Sequence, residues 1–595
     1  MSSVQPVSSS PQQNEFRAIQ LPEISLETAT YVLILGIGIA LRLLNLGNIP
    51  LTALEANGAL AALSIVERTG INLATQSQLL NSLQAVSFWA FGASDFVVRM
   101  WPAIAGAFIV FSPALFRDLL GRRTALIVSS LLAISPALIA ASRTANGATL
   151  SLTAALLVVA MFRKWERTES RTSLVLAGVA LGAGLASGHY FITIVFLGAA
   201  ALALNAWFSG SDTKQFAGIV RGLQSEALVV FLATVGSFIL FSTAGVFYPA
   251  GLTNAGSMLP TWLSGWFGGL ELRPFLMVPV SLVLYGPLIG ILGLASAWLA
   301  MQGDKFVQRL LITTGLALIY GVIYSARESV DVIWVLAPLS IAAARFLVSI
   351  FSGGWKEGDL EITIGQAAIL FLLLSFAYLN LANLDWLFRS GGDQSTNIPL
   401  LLAAGVILLF GVTTALFATG WSVELATRAS TMAIVIAALA LALRAGWGVG
   451  QANAGDAREL WAPKTISPNA RLLVASIEDI SLRHVGDTHD AEITVLGQPD
   501  GPLAWLLRDF TNVNWVSALG SQIDSPVVVT NADIANPTLG STYLGQQFAF
   551  ENSWDEQLSN PRAYVGYFLF RYAPTSNDHL VIWVREDVQL FREPA

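Results

Sequence analysis

The sequence predicts a polytopic α-helical membrane protein that carries a C-terminal extracytoplasmic α/β domain. Three observations predict it. About thirteen apolar stretches, each long enough to cross a bilayer, fill the chain from Thr28 to near Gly450. The residues beyond 450 are polar and carry mixed strand and helix patterns. Basic residues crowd into alternate loops between the stretches, which sets an orientation.

Composition agrees. Hydrophobic residues make up 54% of the chain, charged residues 12%, and the mean hydropathy is +0.63; soluble domains average about 25% charged. A net charge of -7 and a pI near 5.3 argue against a nucleic-acid partner. The absence of cysteine excludes disulfides, thiol catalysis and thiolate metal sites. His189, His484, His489 and His579 lie far apart in sequence, which disfavours a histidine-built metal site.

Residues 1–22 are rich in Ser, Gln and Pro and lack both a basic start and an apolar core, so they read as a disordered cytoplasmic tail and not as a cleaved signal. Residues 23–450 form the transmembrane domain. Its expected spans are 28–46, 97–117, 123–141, 147–162, 172–188, 190–208, 225–247, 276–300, 309–325, 329–350, 362–382, 398–419 and 427–448. With the N-terminus in the cytoplasm, the inner loops hold Arg117, Arg122, Arg123, Arg163, Lys164, Arg167, Arg171, Lys214, Arg221, Lys305, Arg309 and Lys356. The outer loops are longer in total but hold only Arg68, Arg99, Arg143, Arg273, Arg327 and Arg389. This positive-inside bias makes residues 451–595 extracytoplasmic, and a cytoplasmic membrane is the expected location.

Two outer segments are too long to be simple connectors. The first, 47–96, contains a helical pattern over 55–68 and an apolar stretch over 79–91 that is too short and interrupted for a span; both suit a place along the membrane surface or dipping into it. The second, 248–275, carries Trp262, Trp266 and Phe267, which fit either an interfacial belt or the lining of a lipid-entry groove. Beyond residue 450, helices are expected over 471–484 and 502–510, with Trp505 and Leu506 packed in the core of the soluble domain. Strands are expected over 493–497, 513–519, 526–530, 564–572 and 580–585. No Gly-rich phosphate fingerprint stands at the turns, so a nucleotide site is not expected.

A carboxylate at the outer face beside apolar spans is the natural place for chemistry on a lipid-borne substrate. Glu55 stands there, at the start of an outer helix, where it has two readings: a reactive acid, or an N-terminal acid favoured by the helix macrodipole.

The run Leu41-Arg42-Leu43-Leu44-Asn45-Leu46-Gly47-Asn48-Ile49-Pro50-Leu51, followed by Glu55-Ala56, resembles the opening of polyprenyl-phosphate-dependent glycosyltransferases of the GT-C fold. That superfamily includes the protein O-mannosyltransferases and aminoarabinose transferases, and the resemblance is closest to the bacterial and archaeal branch described as flippase-activity-associated. Further landmarks follow in the family's order. They are Phe91-Gly92-Ala93-Ser94-Asp95-Phe96 with Arg99, then Ser135-Pro136 and Ser142-Arg143, then Trp334 with Pro338-Leu339. In the soluble part, Pro502-Leu503-Ala504-Trp505-Leu506-Leu507-Arg508-Asp509 is similar to the branch's Trp-Pro-x-x-Trp-Tyr-x-Arg-Asp segment.

The departures fall on polar positions. Leu54 replaces the first acid of the family's Asp-Glu pair, Ala148 stands near a missing Asp, and Gly286 replaces the Glu of a Tyr-Glu-Pro element. Asp331 stands near a lost basic residue, and Ile333 replaces a Pro. The framework is kept, as in a divergent transferase with a relocated site or a member that has lost catalysis.

The resemblance implies a GT-C-like inverting transferase that takes a sugar from a polyprenyl-phosphate donor to an unknown glycan, lipid or protein acceptor. Such chemistry needs a base for the acceptor hydroxyl and cations for the departing lipid phosphate. Glu55 is the candidate base, with Asp95, Glu271 and Glu328 in support; Arg327, Arg143 and Arg273 are the candidate phosphate ligands. Each has a plainer alternative. Asp95 can cap a helix, Arg143 and Arg273 can sit among lipid headgroups, and Arg327, Glu328 and Asp331 can form a local ion cluster. No cofactor is expected, and a divalent cation stays open. The alternatives are a catalytically degenerate relative that binds a lipid carrier or a partner, and a transporter or flippase. The last is disfavoured because no internal repeat is evident and the charges sit at span ends.

Overall fold

In lipid the backbone has only itself to bond with, so the apolar runs fold as helices. The structure, a computed structural model, describes residues 25–69, 76–209, 226–268, 272–382, 397–462, 464–534, 536–554 and 575–589. The expected tail 1–22, Glu271 and the strand candidate 564–572 lie outside the described residues.

The first half runs through α1 (Leu26–Leu43), α2 (Ala53–Glu67), α3 (Gln78–Phe91), α4 (Asp95–Phe111), α5 (Arg122–Ile134), α6 (Pro136–Arg143), α7 (Ala148–Thr168), α8 (Arg171–Ala186), α9 (His189–Ser209) and α10 (Ala227–Ser242). The second half adds α11 (Ala250–Ser264), α12 (Leu272–Tyr285), α13 (Pro287–Ala295), α14 (Lys305–Ile323), α15 (Val332–Phe351), α16 (Asp359–Ala382), α17 (Asn397–Gly420) and α18 (Val423–Trp447). Among the described residues, nine helices are long and apolar enough to cross a membrane, or up to eleven if each of two bent pairs counts as one span. The apolar helices α8 and α10 are shorter. This is a multi-pass membrane protein.

Two expected spans, 123–141 and 276–300, are broken. The α5–α6 pair bends by 59° and the second pair by 97° at Gly286, between α12 and α13. Proline causes both breaks: the ring disfavours helical dihedrals in the preceding residue and removes an N–H. Ser135 accordingly is extended, with ψ 116°. The carbonyl of Leu132 would ordinarily accept from residue 136, which is Pro136. Arg42, wholly buried on α1, fills that role: its Nη2 donates to Leu132 O at 3.1 Å and its Nη1 to Ala133 O at 3.3 Å. A charged side chain inside the bundle thereby serves the backbone.

α15 lies at the centre of the bundle and is the most thoroughly buried span, whereas most of α17 faces outward. The Trp262 expectation is corrected. Trp262 is 6% exposed and donates from Nε1 to Thr193 Oγ1 at 3.0 Å, inside an aromatic cluster with Trp266, Tyr320 and Tyr324. Only Phe267 of the three is exposed, because aromatic partners from α9 and α14 are at hand for the tryptophans.

Past α18 the chain forms a six-stranded mixed sheet: β1 (Lys464–Ile466), β2 (Ile493–Leu496), β3 (Val513–Val516), β4 (Val527–Asn531), β5 (Tyr543–Trp554) and β6 (Thr575–Arg585). The order is β1-β5-β6-β4-β2-β3; β2 pairs in parallel with β3 and β4, and the other pairs are antiparallel. A helix, α19 (Ala470–His484), lays Leu473 and Ile477 on Ile493, Val495, Val527, Val529 and Ile582 of the sheet. The expected helix over 502–510 is shorter, α20 (Gly501–Leu506), with Pro502 in its first turn.

Trp505 on α20 is buried, but not in the soluble core as expected. It packs with Leu51, Ala56, Ala59 and Phe88 of the outer segment between α1 and α4 and with Val98 of α4, and Leu506 is only partly buried. The reason is polar as well as apolar: Trp505 Nε1 donates to Asp95 Oδ1 at 2.8 Å. Arg471 Nη2 reaches the other Asp95 oxygen at 2.9 Å, and Gly501 N donates to Asn57 Oδ1 at 2.6 Å. The sheet domain is thus fastened onto α2 and the start of α4.

Candidate active site

Glu55 is placed by local and distant forces together. As the third residue of α2 it reaches back, and Oε2 accepts from Thr52 N at 3.0 Å and Thr52 Oγ1 at 3.1 Å. Arg99, one turn into α4, donates from Nε to Oε1 at 2.8 Å and from Nη2 to Oε2 at 2.7 Å. Ala145 N donates to Oε1 at 2.8 Å. Burial acts to raise the Glu55 carboxyl, but Arg99 and the backbone donors outweigh it and hold it below the usual carboxylate range.

Arg99 also binds the chain that joins α1 to α2, through the carbonyls of Leu46, Ile49 and Pro50. The pair therefore ties α2, α4 and the turn after α6 together.

The other sequence candidates separate. Arg143 donates to the carbonyls of Leu41, Arg42, Leu44 and Asn45, at and just past the end of α1, so its side chain caps that helix. Asp95 opens α4 and is held by Arg471 and Trp505, away from Glu55. Arg273 lies in α12, and its side chain lies outside the described residues.

Arg327 and Glu328 share a cavity with Glu55. All three line a cavity of ≈ 370 Å³ on the sheet-domain side of the bundle, with Leu54, Gln76 and Lys464 also in its wall. Glu55 and Arg327 thus share a cavity across 272 positions of sequence, the difference between residues 327 and 55. Arg327 is 5% exposed and donates from Nη1 to Val322 O at 2.7 Å and Tyr324 O at 2.6 Å. Glu328 accepts from Tyr190 Oη at 2.6 Å. Burial raises the Glu328 carboxyl, against the pull of hydrogen bonds from Tyr190 and Gln76. Asp331 fixes this corner: it accepts from Glu328 N at 2.9 Å and from Trp334 Nε1 at 2.8 Å.

The departures from the family pattern have structural counterparts. Leu54 is 62% exposed and stands at the cavity beside Glu55. Ala148 is fully buried at the first turn of α7. At Gly286 a Cβ would lie 2.7 Å from Leu336 Cδ2 and 2.9 Å from Leu282 O, so no side chain fits. An acid arrives there from elsewhere: Tyr285 Oη donates to Glu459 Oε2 at 2.6 Å, and Glu459 belongs to the segment between α18 and β1. Sequence reading missed Arg42, Arg99 and Glu459 as bonding partners. Arg42 and Arg99 carried a signal, since a cation within or beside an apolar run calls for a buried partner. Among the described residues, no three His, Asp or Glu side chains gather as a metal-binding group.

Residues 78–242 match the family model for dolichyl-phosphate-mannose-protein mannosyltransferase. No curated protein sequence matches the chain. Among solved structures, ArnT from Cupriavidus metallidurans bound to undecaprenyl phosphate superposes with a TM-score of 0.53 at 12% identity, over 96% of this chain and 100% of that one. The apo state of the same protein gives 0.51 at 13% identity, over the same shares of each chain. The archaeal oligosaccharyltransferase AglB from Archaeoglobus fulgidus gives 0.46 at 13% identity, over 86% of this chain and 70% of that one. The likeness to ArnT runs through both the helical bundle and the sheet domain, and establishes the GT-C fold for this chain.

Proposed function

We propose that the protein is a membrane glycosyltransferase that moves a sugar from a polyprenyl-phosphate donor to an acceptor on the outer face of the cytoplasmic membrane. The observation that carries this reading is the cavity where α2, the α14–α15 turn and the start of the sheet domain meet. It gathers two carboxylates, Glu55 and Glu328, and two cations, Arg327 and Lys464, at the end of an apolar bundle. A lipid-linked sugar needs that combination: a wall that admits prenyl chain, cations for the phosphate and an acid for the acceptor hydroxyl. The match over 78–242 and the fold shared with ArnT support the same class. The cytoplasmic N-terminus and outer sheet domain rest on the distribution of basic loops.

Arg327 is the phosphate ligand in this reading. Its Nη1 is anchored on two carbonyls, so the guanidinium is positioned before a donor arrives. The test is to incubate the purified protein in nanodiscs with undecaprenyl-phosphate-linked mannose, glucose and arabinose, and to follow release of undecaprenyl phosphate. Arg327→Ala should raise the donor concentration needed by about tenfold or more, equivalent to about 1.4 kcal/mol. Wild-type protein that leaves every donor intact would count against a transferase.

One observation favours the second reading, a non-catalytic lipid-carrier-binding relative. Every lone-pair direction of Glu55 is already filled, and the neighbouring cavity residue is Leu54. In that case undecaprenyl phosphate binds and no donor is consumed.

A further inference from the structure

We propose that Glu328 accepts the proton of the attacking hydroxyl, in place of an acid at position 54. The inference rests on the transferase reading and names the residue that does its central work.

Glu55 is fully engaged by its neighbours. A carboxylate has about four lone-pair sites. Glu55 receives five donated hydrogen bonds, from Thr52 N, Thr52 Oγ1, Arg99 Nε, Arg99 Nη2 and Ala145 N. Taking a proton from a substrate would break the buried pair with Arg99 that holds α2 against α4. The residue before it, Leu54, lines the cavity but has no proton acceptor. A transferase built on this cavity therefore needs a carboxylate from another wall.

Glu328 is that carboxylate. It lines the same cavity, and Tyr190 Oη donates to its Oε2 at 2.6 Å. Tyr190 is 1% exposed and holds its hydroxyl in a fixed place. The backbone of Glu328 is fixed through Asp331, which Trp334 anchors in turn. A positioned acid whose basicity burial increases is a better proton acceptor than an exposed carboxylate. Glu328 has extended dihedrals, φ -123° and ψ 164°, and in extended chain neighbouring side chains diverge. Arg327 and Glu328 therefore serve different parts of the cavity, one the phosphate and the other the hydroxyl.

The acceptor oxygen bonds to the anomeric carbon while the bond from that carbon to the phosphate oxygen breaks. The bonding pair leaves with the polyprenyl phosphate, whose added negative charge faces Arg327. The hydroxyl proton passes to the Glu328 carboxylate and then to water. The charged and titratable groups around Glu328 are Tyr190 on α9, Tyr324 at the end of α14, Arg327 and Asp331 on its own segment, and Glu55 and Lys464 in the cavity wall.

The test measures release of undecaprenyl phosphate from the same three donors in nanodiscs, with water as acceptor, over pH 5 to 9 in steps of about one unit. Glu328→Gln should lower kcat by about 100-fold or more, with donor KM changed by less than about threefold, and should remove the acidic limb of the pH profile. Glu328→Asp should keep part of the rate, and Leu54→Asp added to Glu328→Gln should restore part of it. A Glu328→Gln enzyme with wild-type kcat overturns the proposal, as does a loss that lies wholly in KM. Failure of wild-type protein to consume any donor overturns the transferase reading, and this inference with it.

Discussion

The Glu55 carboxylate and the Arg99 guanidinium, 44 positions apart, meet in two hydrogen bonds of 2.7 and 2.8 Å with both side chains 5% exposed. The contact joins the first outer helix to the next membrane span and closes the loop between them. It also gives a structural role to Glu55, the remaining acid of the Asp-Glu pair in the pattern the sequence resembles.

Removing one partner leaves the other charge buried and unpaired, at a cost of about 3–5 kcal/mol. Arg99→Ala and Glu55→Ala should each lower the unfolding temperature of the protein in detergent. The pH dependence has a definite sign. The folded-state value of Glu55 is depressed, so its contribution is present above the unfolded value of about 4.3 and is lost as pH falls through the folded value. Arg99→Ala should lack that acid-labile part. Identical melts for Arg99→Ala and wild type at pH 7 would refute the structural role.

Arg42 should matter through a backbone carbonyl. Arg42→Ala leaves Leu132 O and Ala133 O without its donors, and each buried unpaired group costs roughly 1–3 kcal/mol. Adding Pro136→Ala supplies an N–H at position 136 and should recover part of the lost thermal stability. Strictly additive losses in the double variant would show that the missing proline N–H is not what Arg42 serves.

Trp505 should act at the domain junction. Trp505→Ala, which removes about 3–5 kcal/mol of packing, should undock the sheet domain from α2 and α4 without unfolding its core of Ile477, Ile493 and Val527. Limited proteolysis of the full chain reads this out: cleavage between α18 and α19 should accelerate while the sheet fragment stays intact. Rapid digestion of the sheet itself would place Trp505 in the soluble core after all.

Topology can be checked directly because the native chain has no cysteine. Lys164→Cys and Ser521→Cys both fall at exposed positions. In intact cells an impermeant thiol reagent should label Ser521→Cys and spare Lys164→Cys. Equal labelling would overturn the orientation drawn from the basic loops.

The sequence by itself determined the membrane class, the order of apolar helices and the presence of a mixed α/β unit after them. Those features rest on local causes: apolar length, charge asymmetry and the period of short strands. It also singled out Glu55, Arg327 and Glu328, which line one cavity. The β5 strand was illegible because its run Tyr-Leu-Gly-Gln-Gln-Phe-Ala-Phe is mostly polar or exposed, and it is held by pairing with β1 and β6 and not by burial. Only the tertiary structure decided what each charge does. Arg143 became a helix cap, Asp95 a docking point for Arg471 and Trp505, Glu459 a partner for Tyr285, and Glu55 half of an ion pair. The physical reason is that a buried charge takes its role from whichever donors or acceptors packing brings within about 3 Å, and those partners lie tens to hundreds of residues away in the chain.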